Sequence, residues 1–167
     1  MMNAAKEQPV TIIVNKTQLV IGLVALCLGT LVYLVLRQPD QVYFTRFFGI
    51  HAPLFEIHSR SLHTLGRSLP AFLHIFSFIL ITASFFRPGK TAYAVICAGW
   101  LLIDCLFELG QKYKTLAAKP ILDIFDGIPF LESTRNFFLL GTFDIFDLLA
   151  FALGTVAAYL VLTVTSR

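Results

Sequence analysis

Charged residues are scarce in this 167-residue chain, at 14% of the sequence. A typical soluble domain carries about 25% charged residues. The net charge is only +3, and the sequence has no basic block and no repeat of basic and aromatic residues. These deficits argue against a soluble domain and against a nucleic-acid partner.

Cysteines and metal-binding motifs are also few. The three cysteines, Cys27, Cys97 and Cys105, lie in apolar stretches and form no CxxC pair. Their odd number and spacing do not indicate a disulfide framework, so we interpret them as small packing residues. A polar segment between the first two apolar runs also lacks the HExxH spacing of a zinc site; it holds His51, Glu56, His58 and His63. We predict no cofactor and no metal site there.

Apolar sequence is what the chain has in excess, with 57% hydrophobic residues and a mean hydropathy of +0.78. Four runs approach the ~20 residues that cross a bilayer; they cover about residues 19–36, 69–86, 91–110 and 143–163. We predict an all-α fold, an integral membrane antiparallel bundle of four transmembrane helices. A polar arm, residues 1–18, precedes this single membrane domain of residues 19–167. The first run is longer than a signal-peptide core and no cleavage site follows it, so we interpret it as a retained span.

Two long segments, about residues 37–68 and 111–142, separate these runs and fall on one face of the predicted bundle. Both mix aromatic and basic residues, a composition typical of the headgroup region, so we predict interfacial loops. The basic residues do not decide the orientation. Their total number favours the long loops inside the cell, whereas their density favours the termini inside.

Small residues recur along two of the runs. Gly22 and Gly29 lie on one side of the first run, and Gly154 lies in the last. Small side chains let helices approach closely in lipid, so we predict helix packing at all three. The alternative of equal weight is that glycine is simply common in membrane helices.

Ionisable side chains collect at one depth of the predicted bundle. At 1.5 Å per residue, those within the runs lie within ~10 Å of one membrane boundary. They belong to His74, Asp104, Glu108, Asp144 and Asp147. Such side chains rarely face lipid, and instead pair with one another or line a water-filled cavity. The opposite half of the bundle carries only Thr, Ser, Tyr and Trp as polar groups.

We therefore predict a polar pocket at one membrane face. Its predicted members are His74, Asp104, Glu108, Gln111, Asp144, Asp147, Arg67 and Arg135. The alternative is structural: acids near span ends reach water, and Asp144 and Asp147 interact favourably with a helix dipole. Whether the acidic cluster binds a metal stays open at this point.

Short motifs in residues 65–160 resemble the VanZ-like family of small bacterial membrane proteins. They are Leu69-Pro70-x-Phe72-x-His74-x-Phe76, Trp100-x-x-x-Asp104-x-x-x-Glu108-x-x-Gln111 and Thr142-Phe143-Asp144-x-x-Asp147-x-x-Ala150-x-x-x-Gly154. The resemblance implies a multi-pass bacterial inner-membrane protein of the cell envelope, linked to teicoplanin resistance. It also implies a polar signature at Glu108, Gln111, Asp144, Asp147 and Gly154. One departure is Phe151, where the family usually has asparagine.

The leading expectation is a non-enzymatic protein that binds an envelope lipid or a lipid-linked headgroup in this pocket. A hydrolase or metal-assisted enzyme that uses the carboxylates and His74 is the runner-up. Proton or cation transport and an accessory role in a larger membrane complex are further alternatives. The predicted partners are membrane lipids, with a membrane-protein partner or a second copy of the chain left open.

Overall fold

The computed structural model describes residues 14–36, 60–87, 89–114 and 141–166. These residues form four α-helices and no strand: α1 (Lys16–Leu36), α2 (Arg60–Ser84), α3 (Lys90–Lys112) and α4 (Ile145–Val164). The all-α prediction is confirmed for this part of the chain. Most of both predicted loops, most of the amino-terminal arm and Arg135 lie outside the described residues.

Three of the four helices are long and apolar enough to cross a membrane: α1 over Lys16–Tyr33, α3 over its full length and α4 over its full length. Their bounds lie within a few residues of the predicted runs. Each carries large apolar side chains on its exposed side, among them Leu31, Leu102 and Leu153. Exposed apolar surface on this scale is typical of a membrane-facing or protein-facing surface.

Helix α2 differs from its prediction. The predicted run of residues 69–86 would have left Pro70 in the first turn of the helix, but α2 begins at Arg60 and continues through Pro70. Proline lacks a backbone N–H and favours a first turn, yet it can lie inside a helix at the cost of one hydrogen bond. The apolar part of α2, Ser68–Ser84, is shorter than the three helices above. Its length is ~25 Å, against a hydrocarbon core of ~30 Å.

Helix α2 lies at the centre of the fold and packs against each of the other three helices. Its side chains Ile75, Ile79, Leu80 and Ala83 are fully buried. They form the core with buried side chains of the neighbouring helices, namely Tyr93, Cys97, Phe151, Ala158 and Leu162. Because three helices enclose α2, its apolar part can be shorter than those of its neighbours without exposing polar residues to lipid.

The three glycines expected at helix contacts all lie against α2. A Cβ at Gly22 would lie 2.8 Å from Cγ1 of Ile81, and one at Gly29 would lie 3.1 Å from an α2 side-chain carbon. A Cβ at Gly154 would lie 2.8 Å from the carbonyl oxygen of Phe72. These distances are shorter than an ordinary van der Waals contact, so the missing side chains set how closely α1 and α4 approach α2.

Candidate functional site

Three polar side chains form a buried row along α3. Asp104, Glu108 and Gln111 are 7%, 5% and 8% exposed. Their spacing of four and then three residues places them on one helix face. Acidic side chains are almost never this buried unless they are paired, so each one calls for a partner.

Asp104 meets His74 of α2. The Nε2 atom of His74 lies 3.8 Å from Oδ1 of Asp104, an ion-pair distance when the imidazole is protonated. The His74 side chain is 48% exposed, whereas that of Asp104 is 9% exposed. One member of the pair is therefore accessible from outside the helix bundle and the other is enclosed.

The second carboxylate oxygen of Asp104 has no hydrogen-bond partner within the described residues. This oxygen, Oδ2, is fully buried. Buried polar atoms normally have a protein or water partner, and leaving one without costs ~1–3 kcal/mol. Asp104 therefore offers an acceptor to a donor group that comes from outside the described helices, or takes up a proton there.

Glu108 ties α3 to the beginning of α4. The backbone N–H of Asp144 donates to Oε1 of Glu108 at 2.5 Å. Asp144 is itself the N-cap of α4, since its Oδ1 accepts from the backbone N–H of Phe146 at 3.0 Å. Capping of this kind stabilises a helix by about 1 kcal/mol. We name His74, Asp104, Glu108 and Asp144 together the acid–histidine site.

The other predicted pocket residues occupy different places. Asp147 lies half-buried in the first turn of α4, after the Asp144 cap. Gln111 lies one turn beyond Glu108 on the buried face of α3. Arg67 lies in α2, two turns before His74, and Arg135 lies outside the described residues. The site thus draws its described side chains from three helices.

A positive charge lies where the end of α3 meets the beginning of α4. The Nζ atom of Lys112 lies 4.9 Å from the centre of the Phe143 ring and 5.8 Å from that of Tyr113. Both separations are within the range of cation–π attraction. Lys112 thereby helps to join the end of α3 to the segment that leads into α4.

Aromatic rings hold His74 in position. We did not predict these ring contacts from the sequence. The rings of His74 and Phe78 are 4.5 Å apart, and those of Phe78 and Trp100 are 4.9 Å apart. The indole Nε1 of Trp100 donates to Oγ1 of Thr82 at 3.0 Å. The sequence did contain a signal for the first contact, because a spacing of four residues places the rings of His74 and Phe78 on one face of α2.

A second polar cluster lies at the opposite ends of these helices and contains two amide side chains. Our prediction of only Thr, Ser, Tyr and Trp as polar groups in this half of the fold was wrong. Gln18, at the start of α1, is fully buried, and its Nε2 donates to the hydroxyl oxygens of Tyr93 at 3.2 Å and Thr165 at 3.1 Å. Asn15 donates through Nδ2 to the carbonyl of Thr165 and through its backbone N–H to the carbonyl of Ser84, both at 2.9 Å. We name these five residues the Gln18 cluster.

A sequence signal for the Gln18 cluster existed. Oδ1 of Asn15 accepts from the backbone N–H of Gln18 at 3.2 Å, so the two begin α1 as a cap and its third helical residue. An N-cap residue followed three positions later by Glu or Gln is a known helix-start pattern. We had assigned residues 1–18 to a polar arm and expected no amide side chain in this half of the fold.

No group of three or more His, Cys, Asp or Glu side chains lies close enough to hold a metal ion within the described residues. No family model, curated protein or solved structure matches this chain. The resemblance to VanZ-like proteins therefore stays a prediction, and function has to be argued from the site.

Proposed function

We propose that this protein is a multi-pass inner-membrane protein of a bacterial envelope that binds a lipid headgroup at the acid–histidine site. Three helices with the length and apolarity of membrane spans support the membrane location. In the proposed antiparallel bundle, the acid–histidine site lies near one membrane face and the Gln18 cluster near the other.

The observation that carries the proposal is the pairing of an accessible histidine with a buried, incompletely satisfied carboxylate. His74 is half exposed, whereas Oδ2 of Asp104 is buried and without a hydrogen-bond partner in the described helices. A headgroup that binds at His74 can accept a hydrogen bond from the imidazole, and it can donate one to Oδ2 of Asp104 once the side chains that cover this oxygen move aside. Intramembrane ionisable residues of this kind usually mark a functional site.

The charges of the site favour one chemical class of headgroup. Asp104 and Glu108 lie one turn apart on α3, and Glu108 already accepts from the Asp144 N–H. Two neighbouring carboxylates repel a bare anion, and the imidazole of His74, when protonated, offsets part of that negative charge. A headgroup that combines a phosphate with hydroxyl or amine donors fits better, because its donors meet Asp104 and its phosphate oxygens meet His74.

Native mass spectrometry of the purified chain tests this proposal. The wild type should retain a phospholipid or lipid-linked headgroup, and Asp104→Asn and His74→Ala should each lower the retained fraction. Thr163→Val is the matched control, since the exposed Thr163 hydroxyl donates only within its own turn, to the carbonyl of Leu160. Equal retention by all four proteins would remove the proposal.

A second candidate is hydrolysis at the membrane face, favoured by the same His74–Asp104 contact. A carboxylate beside an imidazole nitrogen orients the ring and stabilises its protonated form, which is the arrangement of a general base. Turnover separates the two functions. Release of a headgroup by the wild type, abolished in Asp104→Asn, would favour the enzyme, whereas retention without release favours binding. The link to teicoplanin resistance rests on the resemblance alone, and susceptibility of a deletion strain tests it.

A further inference from the structure

A groove of about 250 Å³ lies between the second half of α1 and α2. It is lined by Leu26, Gly29, Thr30, Tyr33, Pro70 and His74. Gly29 marks the place where the α1 wall lies closest to α2, since an added Cβ would lie 3.1 Å from Cβ of Leu73. The Thr30 hydroxyl donates to the carbonyl of Leu26 at 2.9 Å within its own helix, which leaves that wall largely apolar.

The size of the groove restricts what can occupy it. Drug-sized ligands fill pockets of ~300–1,000 Å³. An apolar cavity of ~150 Å³ holds a single benzene ring. A groove between these sizes suits a segment of a larger molecule better than a whole drug-sized ligand.

The surroundings of the groove supply such a segment. Leu23 lies one turn before the groove residue Leu26 and is 45% exposed, and Leu69 lies next to Pro70 and is 39% exposed. Apolar surface therefore borders the groove on both helices. In the proposed membrane location this surface faces acyl chains, and one of them can enter without crossing polar groups. A membrane lipid is therefore the occupant that the chemistry favours.

His74 connects the groove to the acid–histidine site. Its ring lines the groove, and its Nε2 atom faces Asp104 of α3. We propose that the groove binds the head-proximal part of one acyl chain, while the head of the same lipid lies at His74 and Asp104. The position of the lipid head rests on the proposed headgroup function, whereas binding of the acyl chain in the groove is tested separately.

Photo-crosslinking in nanodiscs tests the chain site. The full-length protein is reconstituted in a zwitterionic phospholipid that contains a trace of one probe, a phosphatidylethanolamine with a diazirine in the head-proximal half of one acyl chain. Peptide mapping should place the label in residues 26–33 and 70–74. Thr30→Trp and Thr30→Phe fill the groove and should lower this labelling about tenfold, which corresponds to ~1.4 kcal/mol of lost binding.

Leu31→Trp is the matched control, because Leu31 neighbours Thr30 on α1 but is not part of the groove wall. This variant should keep wild-type labelling. Label spread evenly over the exposed faces of α1, or an equal loss in Leu31→Trp, would overturn the chain site. An unlabelled groove in the wild type, because another segment or a second copy covers it, would overturn it too.

The two proposals fail in different ways. If residues 26–33 are labelled but Asp104→Asn retains as much phospholipid as the wild type, the headgroup proposal fails and the chain site stands. If Asp104→Asn loses phospholipid but both Thr30 variants label normally, the chain site fails and the headgroup proposal stands.

Discussion

The imidazole of His74 and the carboxylate of Asp104 lie 3.8 Å apart, although they belong to different helices and differ widely in exposure. The contact joins the central helix α2 to α3. It also places an accessible hydrogen-bonding group beside a carboxylate whose other oxygen, Oδ2, the described helices leave unsatisfied. This relationship, more than the number of acids, distinguishes the acid–histidine site from a set of shallow acids at helix ends.

Asp104→Asn should weaken lipid retention without destabilising the fold. The amide has nearly the same shape as the carboxylate but removes a buried charge whose only described counter-charge is the half-exposed His74. Desolvation of such a charge is costly, so its removal is neutral or stabilising. We expect an equal or higher unfolding temperature in detergent, together with lower retention by native mass spectrometry. A clear fall in unfolding temperature would show that the carboxylate is a structural group.

Glu108→Ala should loosen the junction of α3 and α4. It leaves the Asp144 N–H without its acceptor, at an expected cost of ~1–3 kcal/mol. Glu108→Gln keeps an acceptor oxygen at the same position and should cost clearly less. Thermal unfolding of the two variants checks this order. Equal destabilisation by Ala and Gln would mean that the charge of Glu108, rather than its hydrogen bond to Asp144, holds the junction.

Gly154→Ala should destabilise the contact between α4 and α2. The added Cβ would lie 2.6 Å from Cγ2 of Ile75 and 2.8 Å from the carbonyl oxygen of Phe72, so backbone must shift. Overpacking of this kind costs ~1–3 kcal/mol. Gly99→Ala in α3 is the control, since no atom of the described residues beyond its own stretch of helix lies within 4 Å of the added Cβ.

The Gly99 control should change stability in the opposite direction. Alanine is favoured over glycine inside a helix by ~0.8–1.0 kcal/mol in water. Thermal unfolding should therefore separate the two variants by sign. A loss of stability in both variants would indicate that general helix effects, and not the α2–α4 contact, explain the result at Gly154.

Gln18→Leu should destabilise the end of the fold formed by the Gln18 cluster. The leucine fills a similar volume but removes the donor shared by the Tyr93 and Thr165 hydroxyls. The expected loss is about 0.5–1.5 kcal/mol, the net value of a typical hydrogen bond. Tyr93→Phe in the same background should add little, because its hydrogen bond to Gln18 is already gone. Additive losses in this double-mutant cycle would contradict the coupling.

The positions of α1, α3 and α4 follow directly from the sequence. Long apolar runs leave few alternatives in a chain so poor in charge, and the runs that we predicted agree with these helices to within a few residues. The early beginning of α2 at Arg60 could not be foreseen in this way. Pro70 is typical of a first turn, and only packing against three neighbours allows the helix to continue through it.

The candidate site was predictable by depth but not by pairing. Helix spacing places Asp104 and Glu108 on one face of α3, and chain order places Asp144 near them. Which acid meets His74 depends on how α2 is rotated about its axis relative to α3. The ring contacts from His74 through Phe78 to Trp100 hold that rotation. Gln18 was missed because a glutamine beside a polar arm carries no sign of burial until the end of α4 is packed against it.

A double-mutant cycle on lipid retention tests the central claim most directly. Retention of a phospholipid is measured by native mass spectrometry for the wild type, His74→Ala, Asp104→Asn and the double variant. If the two side chains hold one headgroup together, each single variant loses retention and the double variant loses little more than either. Independent losses that add in the double variant, or retention unchanged in all three variants, would contradict a shared headgroup site.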